Sequence, residues 1–189
     1  MIYAQVHLTL PAWVHEFDVS GDLSSDAAKV NLAIALASRN VEENSGGPFG
    51  AAIFDQNHRL ISLGVNRVVP HSCSVAHAEM MAFMTAQQRL NRLRLNLEGG
   101  LESGQFTLAT SAQPCCMCYG ATVWAGIDRV LIGARASDVE ELSEFDEGPL
   151  PADWQGEWAA RGIASTLDVS REAAREVFIK YRERGGVRY

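Results

Sequence analysis

Apolar positions change their spacing several times along the chain, and each change marks an element. Val30, Ile34, Ala37 and Val41 recur every three or four residues, which predicts an amphipathic helix. Ser24 or Ser25 can cap it, Asp26 suits its first turn, and Lys29, Arg39 and Glu43 fall to its wet side. Asn44-Ser45-Gly46-Gly47-Pro48 stops it. Phe49 to Phe54 and Arg59 to Val69 are short apolar runs on either side of Asp55-Gln56-Asn57, the pattern of a β-hairpin. A second helix is predicted from about Val75 to Leu93, with Met80, Phe83, Met84, Gln87 and Leu90 close to one face. Leu97 to Gly104 reads as loop. Gln105 to Thr110 alternates as a strand. A helix follows at once and ends at Gly126-Ile127-Asp128, and Arg129 to Ala134 is another strand. That alternation predicts parallel pairing through a right-handed crossover. Ser137 to Glu144 is helical, Phe145 to Pro149 turns, and Pro151 to Arg161 is a short helix with Trp154 and Trp158 four apart in the core. Ala164 to Leu167 gives a fifth strand. Asp168 or Ser170 caps a last helix with Ala173, Val177 and Tyr181 on one face.

The sum is an α/β protein, a three-layer α/β/α sandwich with a mixed five-stranded sheet. Residues 1–189 form one domain, with 1–23 as an N-terminal lead-in and 168–189 as a C-terminal helix and tail. In the lead-in Val6, Leu8 and Leu10 alternate, and Trp13 and Phe17 are placed to pack on the body.

Charge narrows the partners. A net charge of -7 works against a nucleic-acid partner, which calls for clustered Lys and Arg. Arg89 to Arg94 and Arg171 to Arg188 read as solvated helix faces. The chain has no apolar run of membrane length, and Met1 to Phe17 lacks the make-up of a signal peptide. Three of the four cysteines fall within four residues, too close to bridge one another. That is metal-binding usage in a reducing compartment, so a cytoplasmic protein is expected.

Those cysteines sit in Pro114-Cys115-Cys116-Met117-Cys118, where the strand gives way to a helix. Cys115 and Cys118 are three apart and share a helical face. Pro114 suits a helix entry, and the positive end of the helix favours thiolates. His77-Ala78-Glu79 supplies a nitrogen ligand and a carboxylate two residues on. His77, Cys115 and Cys118 make three protein ligands for zinc and leave open the fourth position that a catalytic ion needs for water. Cys73, four residues before His77, is a rival fourth ligand and His71 a lesser one, but a closed structural site has no use for Glu79.

Together, His77-Ala78-Glu79 and Pro114-Cys115-x-x-Cys118 resemble the zinc-dependent cytidine/deoxycytidylate deaminase superfamily. Within it, Gly46-Gly47-Pro48-Phe49-Gly50-Ala51, Asn66, Trp124, Phe145-Asp146-Glu147 and the terminal Tyr189 look most like bacterial guanine deaminases. The resemblance implies a cytidine-deaminase-like fold and a hydrolase, a zinc-dependent aminohydrolase of purine catabolism that turns a free aminopurine, most of all guanine, into xanthine and ammonia. Guanosine, an aminotriazine and tRNA adenosine are the alternative substrates. It implies Glu79 and Glu147 as the catalytic proton carriers, with Asp146 the rival of Glu147. It implies a nucleobase held by Asn66, Phe49, the backbone of Ala78, Trp124 and Tyr189. Read as bare residues, Glu147 is a loop charge, Asn66 a turn former, Phe49 and Trp124 core, and Tyr189 a chain end. The family further implies a homodimer with exchanged C-terminal segments. The departures from it are the longer lead-in and Cys116, where Pro or Val is frequent.

Overall fold

The computed structural model of the chain describes residues 5–98 and 101–189. Ser25 caps the first helix, α1 (Asp26–Glu42), its hydroxyl accepting the Ala28 N–H at 3.1 Å. The helix buries Val30, Ile34, Ala37 and Val41 as the spacing predicts, and Ala33 with them. Lys29 is a correction: it is 2% exposed rather than wet. Its stem follows apolar surface, its amine donates to the Ser24 carbonyl at 2.7 Å, and its charge lies 5.6 Å from the Phe54 ring centre.

The hairpin forms as β1 (Gly50–Asp55) and β2 (Leu60–Val65). The second run stops short of Val69, because Val68–His71 turns into a one-turn helix, α2. The next helix, α3 (Ala78–Leu90), begins at Ala78 with His77 as its N-cap. Its buried face is also not the predicted one. Ala78, Met81, Ala82, Phe83 and Ala86 face inward, since small side chains let the helix lie close on the hairpin, while Met80 and Met84 are half-buried. Where a loop was expected, Leu97–Glu98 (β3) and Leu101–Glu102 (β4) pair as a small antiparallel ribbon.

β5 (Phe106–Ala112), α4 (Cys116–Ala125) and β6 (Arg129–Ala134) follow, and β5 and β6 pair in parallel as predicted. α5 (Ala136–Ser143), α6 (Trp154–Ala159), β7 (Ala164–Thr166) and α7 (Arg171–Glu183) complete the chain. The strands order as β2-β1-β5-β6-β7, antiparallel on the hairpin side and parallel from β5 to β7. This is the mixed five-stranded sheet of a cytidine-deaminase-like fold.

Side chains of the central strands alternate between two cores. Ala52, Phe54, Ala109 and Leu131 pack under α1 and α7, whereas Ile53, Leu108, Val130 and Ile132 pack with Phe83 of α3 and Trp158 of α6. Both faces are covered, so these strands read as continuous apolar runs. Trp158 is fully buried and stacks on Tyr119, with Trp154 edge-on against it. The lead-in carries a short 3-10 turn, Ala12–Glu16; its Trp13, and Phe17 just after it, pack against the α1 core.

Three expectations fail around α7. Its buried residues are Ala174, Val177, Phe178 and Tyr181, so Ala173 is replaced by its neighbour. Ser170 is the N-cap by position, but no side chain caps the helix; Asp168 instead pairs with Arg135. Nor is the arginine run simply solvated. Arg171 and Arg175 both pair with Asp138 of α5, which is 1% exposed.

Candidate active site

Two helix starts meet at one end of the sheet. His77 caps α3 and Cys115 caps α4, each in extended backbone just before its helix turns. The imidazole Nδ1 lies 3.5 Å from Cys115 Sγ and 3.6 Å from Cys118 Sγ. Metal–ligand lengths of about 2.3 Å to sulfur and about 2.05 Å to nitrogen, at a tetrahedral angle, require a nitrogen–sulfur separation of about 3.6 Å. The three donors therefore fit one zinc ion, and all lie within 4.8 Å of one another. Cys73 and His71 stand outside this cluster; His71 Nε2 accepts the Thr9 N–H at 3.2 Å instead.

Electrostatics within the cluster favour a cation. A hydrogen bond from Cys118 leads the influences that hold Cys115 down to about 4, while that same bond and burial push Cys118 up. Burial works against a charged His77, but the Cys115 hydrogen bond and the Glu79 charge outweigh it and raise its pKa.

Two carboxyl groups border the cluster, both buried. Glu79, in the first turn of α3, accepts from the Thr110 hydroxyl at 3.3 Å and from Cys118 Sγ at 3.5 Å. Burial, then the neighbouring Cys115 charge, raises its pKa. Glu147 lies on the extended segment after α5, tied to α4 by the Cys116 N–H on its backbone carbonyl at 3.0 Å. Burial first, then the charges of Cys115 and Glu79, pushes it up to about 9. Asp146, its rival by sequence, is exposed and accepts the Gly148 N–H at 2.8 Å, which makes it the turn former.

A cavity of about 420 Å³ opens beside these groups, lined among others by Phe49, His77, Cys115, Phe145, Glu147 and Tyr189. Asn66 is 1% exposed and, with the Tyr189 hydroxyl, flanks the space where a Cβ at Gly47 would stand. Its Oδ1 accepts from the Gly47 and Val68 N–H groups at 3.3 and 3.2 Å, and its Nδ2 has no partner within hydrogen-bond distance, although the amide is near enough to the Tyr189 hydroxyl to lower that group's pKa. Ala78, the first residue of α3, is fully buried and adds only backbone.

Tyr189 reaches the cavity of its own chain, its ring centre 4.8 Å from that of Phe145. A Cβ at Gly47 would lie 2.1 Å from its hydroxyl, so only glycine admits the phenol there. Burial leads the raising of that hydroxyl's pKa, although the terminal residue as a whole is exposed; the oxygen is deep and the chain end is wet. Arg188 pairs with Glu144, and the Tyr181 hydroxyl donates to the Val187 carbonyl at 2.7 Å, both fastening the tail.

Trp124 is not brought to the site. It is 81% exposed at the far end of α4 and absent from the cavity wall, neither core nor stacking platform in this chain. Sequence reasoning missed Phe145, whose ring also meets Phe49 and Tyr181. An aromatic inside an acidic turn was the available signal.

Residues 23–134 match the model of the cytidine and deoxycytidylate deaminase zinc-binding region. The guanine deaminase of Bacillus subtilis is 35% identical over 115 residues, 61% of this chain and 67% of that protein. Two solved structures run nearly the whole length. A guanine deaminase from Nitrosomonas europaea is 36% identical, covering 97% of this chain and 99% of its own, with a TM-score of 0.88. NE0047 in complex with 2,6-diaminopurine is 38% identical over 97% of this chain and 95% of its own, also at 0.88. With the metal triad, these matches settle the class: the chain belongs to the cytidine and deoxycytidylate deaminase zinc-binding family and is a zinc-dependent deaminase, a hydrolase, whose His77, Cys115 and Cys118 can coordinate the ion.

Proposed function

We propose that the protein hydrolyses guanine to xanthine and ammonia. The observation that carries the substrate is the extent of the likeness. It spans nearly the whole chain, to a guanine deaminase and to a protein solved with 2,6-diaminopurine and with 8-azaguanine. When bound, zinc supplies Lewis-acid activation of water. Glu79 takes a proton from the attacking water and passes it to a ring nitrogen of the base, a transfer contributing about 10²–10⁴-fold. Glu147, buried and protonated in its setting, gives a proton to the departing amine and regains one from the added hydroxyl as the carbonyl forms. Phe49, Phe145 and Tyr189 shape an apolar slot for a flat ring. The Asn66 Nδ2 donates to an acceptor on the base edge, and the Ala78 backbone, between His77 and Glu79, contacts the base. Ammonia release measured over guanine, guanosine, adenine, cytosine and an aminotriazine tests the reading. Guanine should lead by at least about tenfold in kcat/KM; a lead by any other member would overturn it.

We also infer a cytoplasmic homodimer. Free cysteines at the metal call for a reducing compartment. α4 carries no charged residue, and Met117, Gly120, Ala121 and Trp124 lie along its outer side, a face suited to a second copy. Sedimentation velocity should give a dimer that Trp124→Glu dissociates; a monomeric wild type would remove the assembly.

A further inference from the structure

We propose that Asn40 is a positioning residue that fixes the Asn66 side chain as a one-way hydrogen-bond donor toward the base. The proposal rests on the reading of Asn66 as a substrate contact. Asn40 sits on the core-facing side of α1 and is fully buried. A buried amide must find partners for two donors and an acceptor. Its Nδ2 donates to the Gly47 carbonyl at 2.9 Å and to the Asn66 carbonyl at 3.0 Å. Its Oδ1 accepts the Ser45 hydroxyl at 2.7 Å, and Ser45 Oγ in turn accepts the Trp13 indole N–H at 3.0 Å. One amide thus ties the loop over 45–47 to the end of the strand that carries Asn66. Packing leaves no slack, since a Cβ at Gly46 would lie 1.9 Å from the Asn66 carbonyl oxygen and 2.7 Å from Asn40 Nδ2.

The consequence is chemical. With Gly47 and Val68 held in place, two backbone N–H groups converge on Asn66 Oδ1. An amide turned the other way would set its NH₂ against both donors, so only one orientation is satisfied. Oδ1 is spent on backbone, and Nδ2, beside the Tyr189 hydroxyl, is the end of the amide left to meet a ligand. The site then demands an acceptor, a carbonyl oxygen or an unprotonated ring nitrogen, and rejects a donor at that point. Trp13 extends this network into the lead-in, which gives that segment a role at the site.

Two measurements test the proposal, one of them independent of substrate. In ¹⁵N-labelled protein the Asn66 side-chain NH₂ should give one sharp pair of signals, which broadens or doubles in Asn40→Ala and in the milder Ser45→Ala. In kinetics with guanine, Asn40→Ala should lower kcat/KM about tenfold, mostly through KM, yet cost less than about twofold more in an Asn66→Ala background. Ser45→Ala should behave alike with a loss of about threefold, and it carries the test should Asn40→Ala not fold. Unchanged Asn66 signals in Ser45→Ala, or equal losses in both backgrounds, would overturn the positioning role. Absence of guanine turnover by wild type, with the Asn66 signals responding as stated, would instead strike the substrate reading and leave the positioning role standing.

Discussion

Gly47 shows how much the site depends on atoms that are absent. The tyrosine hydroxyl and the Asn66 amide both crowd the space where a Cβ would stand. Gly47→Ala should therefore expel the Tyr189 ring and open the slot while leaving the metal triad intact. Steady-state kinetics should show KM for guanine raised about tenfold or more at unchanged zinc content; an unchanged KM would mean that Tyr189 forms no part of the slot. At this scale the metal donors were legible in the chain, because ligand type and spacing are local. Asn66 and Glu147 were legible only through resemblance, since as bare residues a turn asparagine and a loop glutamate carry no sign of burial. Trp124 misled because a tryptophan suggests an interior or a ring partner, and in one copy of the chain it has neither.

Elements were legible where spacing decides them. α1, the hairpin, β6 and the β5–α4–β6 unit follow from apolar periodicity and turn residues. What failed was tertiary. The inward face of α3 is set by how closely alanines let it approach the hairpin, and the arginines of α7 are held by a partner more than thirty residues away. That partner, Asp138, joins α5, which leads to Glu147, with α7, which leads to Tyr189. Its hydrogen bonds from Arg171 lead the effects that hold its carboxyl at about 2. A folded pKa below the unfolded value of about 3.9 gives stability that is present above about pH 4 and lost as pH falls through 2. In urea titrations, wild type should exceed Asp138→Asn by on the order of 2 kcal/mol at pH 7, and the difference should close between pH 4 and 2. A difference that persists at pH 2 would show that packing, not charge, joins the helices.

For the whole molecule, the question is whether the metal serves the fold or the chemistry. Two apolar cores pack on either face of the sheet, and most of their side chains lie away from His77, Cys115 and Cys118. Folding can draw on that burial alone. Chelation should accordingly abolish turnover while far-UV circular dichroism stays native and the melting point drops by several degrees, as loss of a bound ligand requires. Collapse of the fold on chelation would make the ion structural. The mixed sheet followed from the order of strands and helices, but the tail lying over its own site did not, because three terminal residues carry no periodicity.

In the proposed reaction a buried carboxylate beside the metal ligands moves the protons of guanine hydrolysis. Xanthine and ammonia formed from guanine should be compared between wild type and Glu79→Gln, both assayed for zinc. Equal zinc is expected in the two proteins, with one xanthine for each ammonia from wild type and turnover at least about 10²-fold slower in the variant. A zinc-loaded Glu79→Gln that keeps wild-type turnover would contradict that role.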